Sequence, residues 1–417
     1  MEKFRRLEPR QRHAFTACFL AWSLDSFDFF LLVLCVSAIA ADFHTAISSV
    51  AEAIALTLAF RPVGACLFGV LAERYGRRPA LMLNIVAYSS LELGCAFAPS
   101  LHSLLVLRAL FGIAMGGVWG VGAALAFETL PPTDRGFFSG LLQEGYATGY
   151  LLAAAAYGLL FTRFSNVMWH GHAMGWRGLF LIGACPVLLI PYLVLKVEES
   201  PVWLERRKTG VHSEEGRAGV FAGIRNYGVT FLFLVLLMTG FTAFSHGTQD
   251  LYPTFLQHDH HLSPGVTGTV AVIYNIGALL GGIFFGNLSE RFGRKRTIIG
   301  TALLSLPMIP LFAYSHTLFW ITAGGFLMQF MVQGAWGVVP AYLTELSPAS
   351  VRATFPGLAY QLGNLLSSRN VLLQSWAAER IGSYGPVLAI TVVIVALYLA
   401  VVTMFGRESR GADLTKA

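Results

Sequence analysis

Runs of roughly 20 apolar residues, the length a helix needs to cross a bilayer, recur about twelve times in this chain of 417 residues. They lie near 14–40, 51–72, 80–98, 103–127, 137–161, 176–196, 229–252, 266–288, 297–314, 318–341, 355–376 and 386–406. In lipid each such run must satisfy its own backbone hydrogen bonds, and a helix does so. Composition agrees. Charged residues are 12% of the chain and hydrophobic ones 55%, whereas ordinary soluble domains carry about a quarter charged residues. A soluble enzyme, a nucleic-acid binder and a disordered scaffold are excluded on that ground. Cys18, Cys35, Cys66, Cys95 and Cys185 sit singly inside apolar runs, so neither a disulfide framework nor a zinc site is expected. The expected fold class is an all-α membrane protein with twelve transmembrane helices. The first run is too long for a signal peptide and lacks a small-residue cleavage site, so it is read as helix 1.

Basic residues set the expected topology. Lys3, Arg5, Arg6, Arg10 and Arg12 precede helix 1, and Arg74, Arg77 and Arg78 separate helices 2 and 3. Lys196, Arg206, Arg207, Lys208, Arg217 and Arg225 fill the 6–7 loop, and Arg291, Arg294, Lys295 and Arg296 the 8–9 loop. The opposite loops hold little beyond Arg163, Arg177 and Arg380. By the positive-inside rule both termini face the cytoplasm, in a multi-pass inner (plasma) membrane. The net charge of +6 therefore faces anionic lipid and not nucleic acid.

An internal repeat divides the chain. Gly69-Val-Leu-Ala-Glu73-Arg74-Tyr-Gly76-Arg77-Arg78 returns 217 positions later as Gly286-Asn-Leu-Ser-Glu290-Arg291-Phe-Gly293-Arg294-Lys295. The same offset carries Gly117-Val-Trp119-Gly120 onto Gly334-Ala-Trp336-Gly337, Glu128 onto Glu345, Arg135 onto Arg352, Gly140 onto Gly357 and Glu144 onto Gln361. Two six-helix bundles follow, 1–196 and 229–417, joined by a cytoplasmic loop at 197–228. The doubled G-x-L-[AS]-E-R-x-G-R-[RK] loop, Arg108-Ala-Leu-Phe-Gly112-Ile-Ala-Met-Gly116, and Glu199-Ser-Pro201-Val-Trp203-Leu resemble signatures of the major facilitator superfamily. That resemblance covers nearly the whole chain. It implies two parallel repeats around a cavity open alternately to either side. Gly69, Glu73, Arg74, Gly76, Arg77, Glu128 and Arg135, with Gly286, Glu290, Arg291, Gly293, Arg294, Glu345 and Arg352, are the candidate gate. Its glycines allow tight turns and close approach, and its charges are suited to interdomain ion pairs that break when that face opens.

Charges inside the membrane cost about 2.5–3.5 kcal/mol at mid-helix, so each is a functional candidate. Asp25 and Asp28 share one face of helix 1. Arg61 lies about 20 Å above Arg74 on helix 2, and Arg108, Glu144 and Arg369 lie on helices 4, 5 and 11. Arg108, Glu144 and Arg369 also suit structural ion pairs. A buried arginine fits a carboxylate ligand through its planar fork, and a desolvated carboxyl group can take up and release a proton. An organic anion and a proton are the expected cargo, moved without cofactor or metal by a monomer with no obligate protein partner. The absence of a Walker sequence points to a gradient as the energy source.

Helix 7 narrows the class. The tail of Thr242-Ala-Phe-Ser245-His246-Gly-Thr248-Gln249-Asp250-Leu-Tyr-Pro-Thr254 is similar to the signature of the sialate and lactate proton symporters, with Thr242 where that family has Asn. Trp22-Ser-Leu-Asp25-Ser-Phe-Asp28 and Gln361-Leu-Gly363-Asn364 are similar to it too. The resemblance implies that Arg61 holds a carboxylate and that Gln249, Gln361 and Asn364 bond the carboxylate or a neighbouring oxygen. His246 and Asp250 would serve the proton path or helix-7 gating. The proton carrier stays open among Asp25, Asp28, Glu144 and Asp250, and interhelical bonding is the alternative role for Gln249 and Asn364. A middle loop without extra spans, and the aromatic side chains Phe27, Phe29, Tyr146 and Tyr360, favour lactate or pyruvate over sialic acid or sugars. A drug exporter is disfavoured by Arg61. A transporter-like sensor would be expected to carry a longer tail. An enzyme would need a nucleophile with its base, and none is evident. The His170 and His172 loop and the His258, His260 and His261 loop read as solvated.

Overall fold

The computed structural model describes residues 2–130, 135–169, 172–208, 225–347 and 355–409. A short helix, Glu2–Arg6, leads into the spans. In the first half these are α1 (Pro9–Asp42), α2 (Ile47–Tyr75), α3 (Arg77–Ala96), α4 (Leu101–Thr129), α5 (Arg135–Gln143, continued by Gly145–Ser165) and α6 (Gly175–Gly183, then Leu189–Lys196 after a 3-10 turn). In the second they are α7 (Gly228–Gln249, continued by Tyr252–His258), α8 (Pro264–Phe292), α9 (Arg294–Leu304, then Ile309–Ala313), α10 (Leu318–Trp336, continued by Val339–Leu346), α11 (Phe355–Ser367, continued by Asn370–Ile381) and α12 (Gly385–Phe405). The twelve helices form two six-helix repeats, as the runs and the repeat predict. Among the described residues ten spans are long and apolar enough to cross a membrane. The other two, α5 and α11, break at Glu144 and at Ser368–Arg369. Among the described residues the only paired strands join Met168–Trp169 to His172–Ala173 between α5 and α6.

These helices are apolar on the outside as well as in the core. Leu159, Leu195, Val229, Phe319 and Phe405 are all exposed, as membrane spans require. Inside each half the helices approach closely through small residues. A Cβ on Gly116 of α4 would overlap the Arg61 carbonyl of α2, and one on Gly281 of α8 would overlap the Phe330 carbonyl of α10. The halves meet where α2 packs on α11 and α5 on α8. At the end of the molecule away from the Gly-Arg loops, Glu379 of α11 binds α2 in bidentate fashion, with its oxygens 2.7 Å from Ser48 N and 2.8 Å from Ser48 Oγ.

At the opposite, basic end the two repeats build the same lock. Gly76 and Gly293 turn the chain at φ +112° and +100°, a region open to glycine and strained for other residues. Arg77 pairs with Glu128 at 3.0 Å and Arg294 with Glu345 at 3.1 Å. The Glu199 carboxylate accepts from the Arg77 and Arg78 amides at 3.0 and 3.2 Å, and Glu408 accepts from the Arg294 and Lys295 amides at 2.8 and 3.2 Å. Ser200 donates to Glu128, and Ser409 to Glu345. The gate charges are expected to suit ion pairs between halves; the Arg77–Glu128 and Arg294–Glu345 pairs each lie within a half. The reason is geometric, since each arginine starts the helix that follows its own glycine turn and points back across its own bundle.

The remaining gate candidates divide. Glu290 reaches Arg294 at 2.8 Å, while Glu73, Arg74 and Arg291 are exposed. Gly69 has open space where a Cβ would stand, so no close approach requires glycine there, and Gly286 faces the Gly337 carbonyl. Arg135 opens α5, with its side chain outside the description, and Arg352 lies outside the described residues.

Candidate functional site

Arg61 stands at the midpoint of α2, followed by Pro62, which removes one backbone bond from the helix interior. Its side chain is wholly buried, and none of its three guanidinium nitrogens makes a hydrogen bond of ordinary geometry, although the Tyr360 hydroxyl lies within interaction range. Two aromatic rings attend it instead. Trp22 of α1 has its centroid 5.9 Å from the guanidinium carbon, and Tyr360 of α11 has its own at 5.8 Å. Asp25 of α1, wholly buried with both oxygens unpartnered, lies within electrostatic reach of Arg61. Gln361 and Asn364 come to the same place from the second half. Gln361 donates weakly to the Gly116 carbonyl at 3.5 Å and accepts from Asn364 at 3.3 Å, and the Asn364 side chain lies within reach of the Tyr360 hydroxyl. One cation, one carboxylate and two amides thus meet where α1, α2 and α11 converge.

Asp28, one turn along α1, belongs to a second cluster in the first half. Its neighbours are Glu92 of α3 and Arg108 of α4, with Gly183 of α6 between the two carboxylates. Arg108 and Glu92 form an ion pair at 2.7 Å with both side chains wholly buried. The arginine also lies over Phe111 and Phe180, at 4.8 and 4.6 Å. Glu144 does not pair with Arg108: it marks the break in α5 and faces Gly282 of α8. Arg369 is exposed at the break in α11.

The polar run on α7 is mostly bonded within the second half. Gln249 donates to Gln329 of α10 at 2.7 Å and accepts from Ser245 at 3.1 Å. Gln329 in turn donates to Thr248 at 3.1 Å, and Thr242 meets Ser367 of α11 at 2.9 Å. The structure therefore places Gln249 in an interhelical amide lattice. His246 Nδ1 lies 3.1 Å from Asp250, with Phe29 of α1 edge-on to its ring. Tyr150 of α5 and Tyr274 of α8 are hydrogen-bonded beside Asp250, joining the halves.

Three participants escape the sequence reading. Glu92 carries a legible signal, an acid near the middle of an apolar run. Gln329 carries a weaker one, an amide in α10. Trp22 opens the helix-1 stretch that resembles the symporter family, but an indole on a membrane helix reads as packing and gives no sign of a place beside Arg61. The repeat offset also exposes an asymmetry: Arg61, Asp25, Asp28 and Arg108 fall on Ala278, Thr242, Ser245 and Gly325. The scaffold is duplicated, but these buried charges are confined to the first half.

The model of the Major Facilitator Superfamily matches residues 18–249 and 250–417. A carboxylic acid transporter protein homolog of Saccharomyces cerevisiae is 30% identical over 87% of this chain, which spans 60% of the yeast protein's length. A probable 4-methylmuconolactone transporter of Cupriavidus pinatubonensis is 29% identical over 87% of this chain and 83% of its own. A sialic acid transporter of Escherichia coli is 27% identical over 98% and 96%. Among solved structures, the E. coli xylose transporter in a partially occluded inward-open conformation aligns with a TM-score of 0.75 at 18% identity, covering 97% of this chain and 100% of that one. The relatives named here are transporters, and the helix order, the doubled loop and the family match agree. The chain belongs to the Major Facilitator Superfamily.

Proposed function

We propose that this transporter is a proton-coupled symporter of small monocarboxylates, of the lactate and pyruvate type, working by alternating access. The observation that carries this reading is Arg61: a buried guanidinium whose N–H groups make no hydrogen bond of ordinary geometry, opposed by one carboxylate. A substrate carboxylate can take two charge-assisted hydrogen bonds from its fork. Asp25 competes for the same cation. Protonating Asp25 frees Arg61 for the incoming anion, and releasing the anion restores the charge on Asp25, so proton and substrate move together. Asp28, in reach of Glu92 and Arg108, offers a second place to hold a proton. On this reading the doubled lock and both termini face the cytoplasm across the plasma membrane, which the basic loops support, and the protein acts as a monomer. Relatives named for a carboxylic acid and for sialic acid support an organic acid as cargo; the latter makes a larger sugar acid the second reading.

The test is uptake of labelled L-lactate into proteoliposomes with an acidic exterior. One pH unit supplies about 1.4 kcal/mol, enough for roughly tenfold accumulation with one proton per turnover. Accumulation abolished by a protonophore, competed by pyruvate and lost in Arg61→Ala supports the reading. Uptake of sialic acid in place of small acids favours the second. Normal uptake by Arg61→Ala removes the arginine from the site.

A further inference from the structure

The rings at Arg61 are part of a larger wall. Tyr360 has Trp119 of α4 and Trp336 of α10 as ring neighbours, each at 5.7 Å between centroids. Trp22 lies 6.0 Å from Tyr146 of α5, with the ring planes 31° apart. Five helices from both halves thus contribute rings to one wall, in which Trp22 and Tyr360 lie over the guanidinium. Several of these rings keep a buried polar atom without a partner: the indole N–H of Trp22, that of Trp336 and the hydroxyl of Tyr146. An unmet buried donor is costly, and three on this wall mark a surface shaped for a ligand that brings acceptors. An aliphatic pocket would have served packing alone at no such cost.

A short acid such as lactate can occupy the Arg61 fork, but it has little surface to set against the rings beyond it. A flat acid fits better. Rings lying over the guanidinium leave its edge as the polar exit, so a carboxylate bonded there lies near the guanidinium plane. A π system conjugated with that carboxylate continues in the same plane and meets ring faces and edges on either side. A ring heteroatom, carbonyl or hydroxyl at its far end can accept from an indole N–H or pair with the Tyr146 hydroxyl.

Resting on the reading of Arg61 as the carboxylate site, we infer that, beside the small acids, this transporter accepts flat, conjugated, ring-bearing acids and binds them more tightly than small aliphatic ones. Trp22 and Tyr360 are the residues that set the preference.

The experiment is Arg61-dependent uptake of labelled nicotinate into proteoliposomes, competed by benzoate, cyclohexanecarboxylate, pyruvate and L-lactate. Protein-free vesicles correct for passive entry. Benzoate and cyclohexanecarboxylate have similar size and carry the same charge, but only benzoate is flat. Benzoate is expected to compete about three- to tenfold better than cyclohexanecarboxylate, the range set by ring stacking and cation–π contacts, and better still than lactate. Trp22→Leu, or Tyr360→Leu from the other half should the first not fold, is expected to bring the two rings' inhibition constants together. Equal competition in the wild type, or stronger competition by lactate, overturns the inference and leaves the carboxylate site standing. Nicotinate and lactate uptake that are both absent, or unchanged in Arg61→Ala, overturns the underlying reading as well.

Discussion

Arg61 and Asp25 face one another without the hydrogen bonds that settle most buried ion pairs. Arg108 and Glu92 do have such a bond, at 2.7 Å. Arg61→Lys keeps the charge but loses the planar fork. We expect it to insert normally and to lower carboxylate uptake at least about tenfold, since a buried charge-assisted contact is worth roughly 2–5 kcal/mol; wild-type uptake by the lysine variant would show that charge alone suffices. A different carboxylate tests the far end of the molecule. Partial burial pushes Asp259 up, but bonds from His258, Ser383 and the Gly385 and Tyr384 amides outweigh it and hold the group below the usual carboxylate range. The linkage sign follows: the stability this group adds is present above its unfolded pKa and is lost as pH falls through its lower, folded value. Asp259→Asn is expected to cost less than about 1 kcal/mol, allowing for solvent screening. Thermal unfolding of the two proteins is expected to converge on acidification.

At the scale of helices, the two halves are joined at one end by a contact, and at the other each half carries its own matching lock. Glu379 places its carboxylate at the start of α2, where the first-turn amides and the helix dipole favour an anion. That bond spans the halves, so Glu379→Ala is expected to favour separation of that end. With Cys66 replaced by serine, spin labels on Asn166 and His261 should report longer distances in the variant, and an unchanged distribution would assign the contact no gating role. Glu199 and Glu408 cap α3 and α9 in the same manner from α6 and α12, although they do not share the offset of the rest of the repeat. Glu199→Gln and Glu408→Gln are each expected to cost about 1 kcal/mol, read as a lower unfolding temperature in detergent. The two losses should be comparable, because the two locks share their geometry.

For the whole molecule, proton coupling requires that one buried acid respond to both substrate and pH. Asp28 lies in the cluster with Glu92 and Arg108, apart from the rings around Arg61. Asp28→Asn is therefore expected to retain exchange of labelled for unlabelled substrate across the membrane while losing accumulation driven by a pH gradient. Loss of both, in folded protein, would place Asp28 in the binding step instead. The asymmetry of the repeats bears on this. With these buried charges in one half and an amide lattice in the other, the second half can move against the first without carrying them.

The sequence by itself determined the helices, their number and the duplication, because span length, hydrophobicity and a constant offset are local or linear properties. It also marked Arg61, Asp25 and Asp28, since a charge in an apolar run is conspicuous wherever it points. Partnership was decided by the tertiary structure alone. Helical spacing does not say that Arg108 turns to Glu92 and not to Glu144, that Gln249 is taken by Gln329, or that Arg77 and Arg294 bond inside their own halves. Those choices depend on which helix faces which across the bundle. The aromatic wall is the clearest case, because Trp22, Tyr146, Trp336 and Tyr360 are scattered along the chain and form one wall only when both halves are in place.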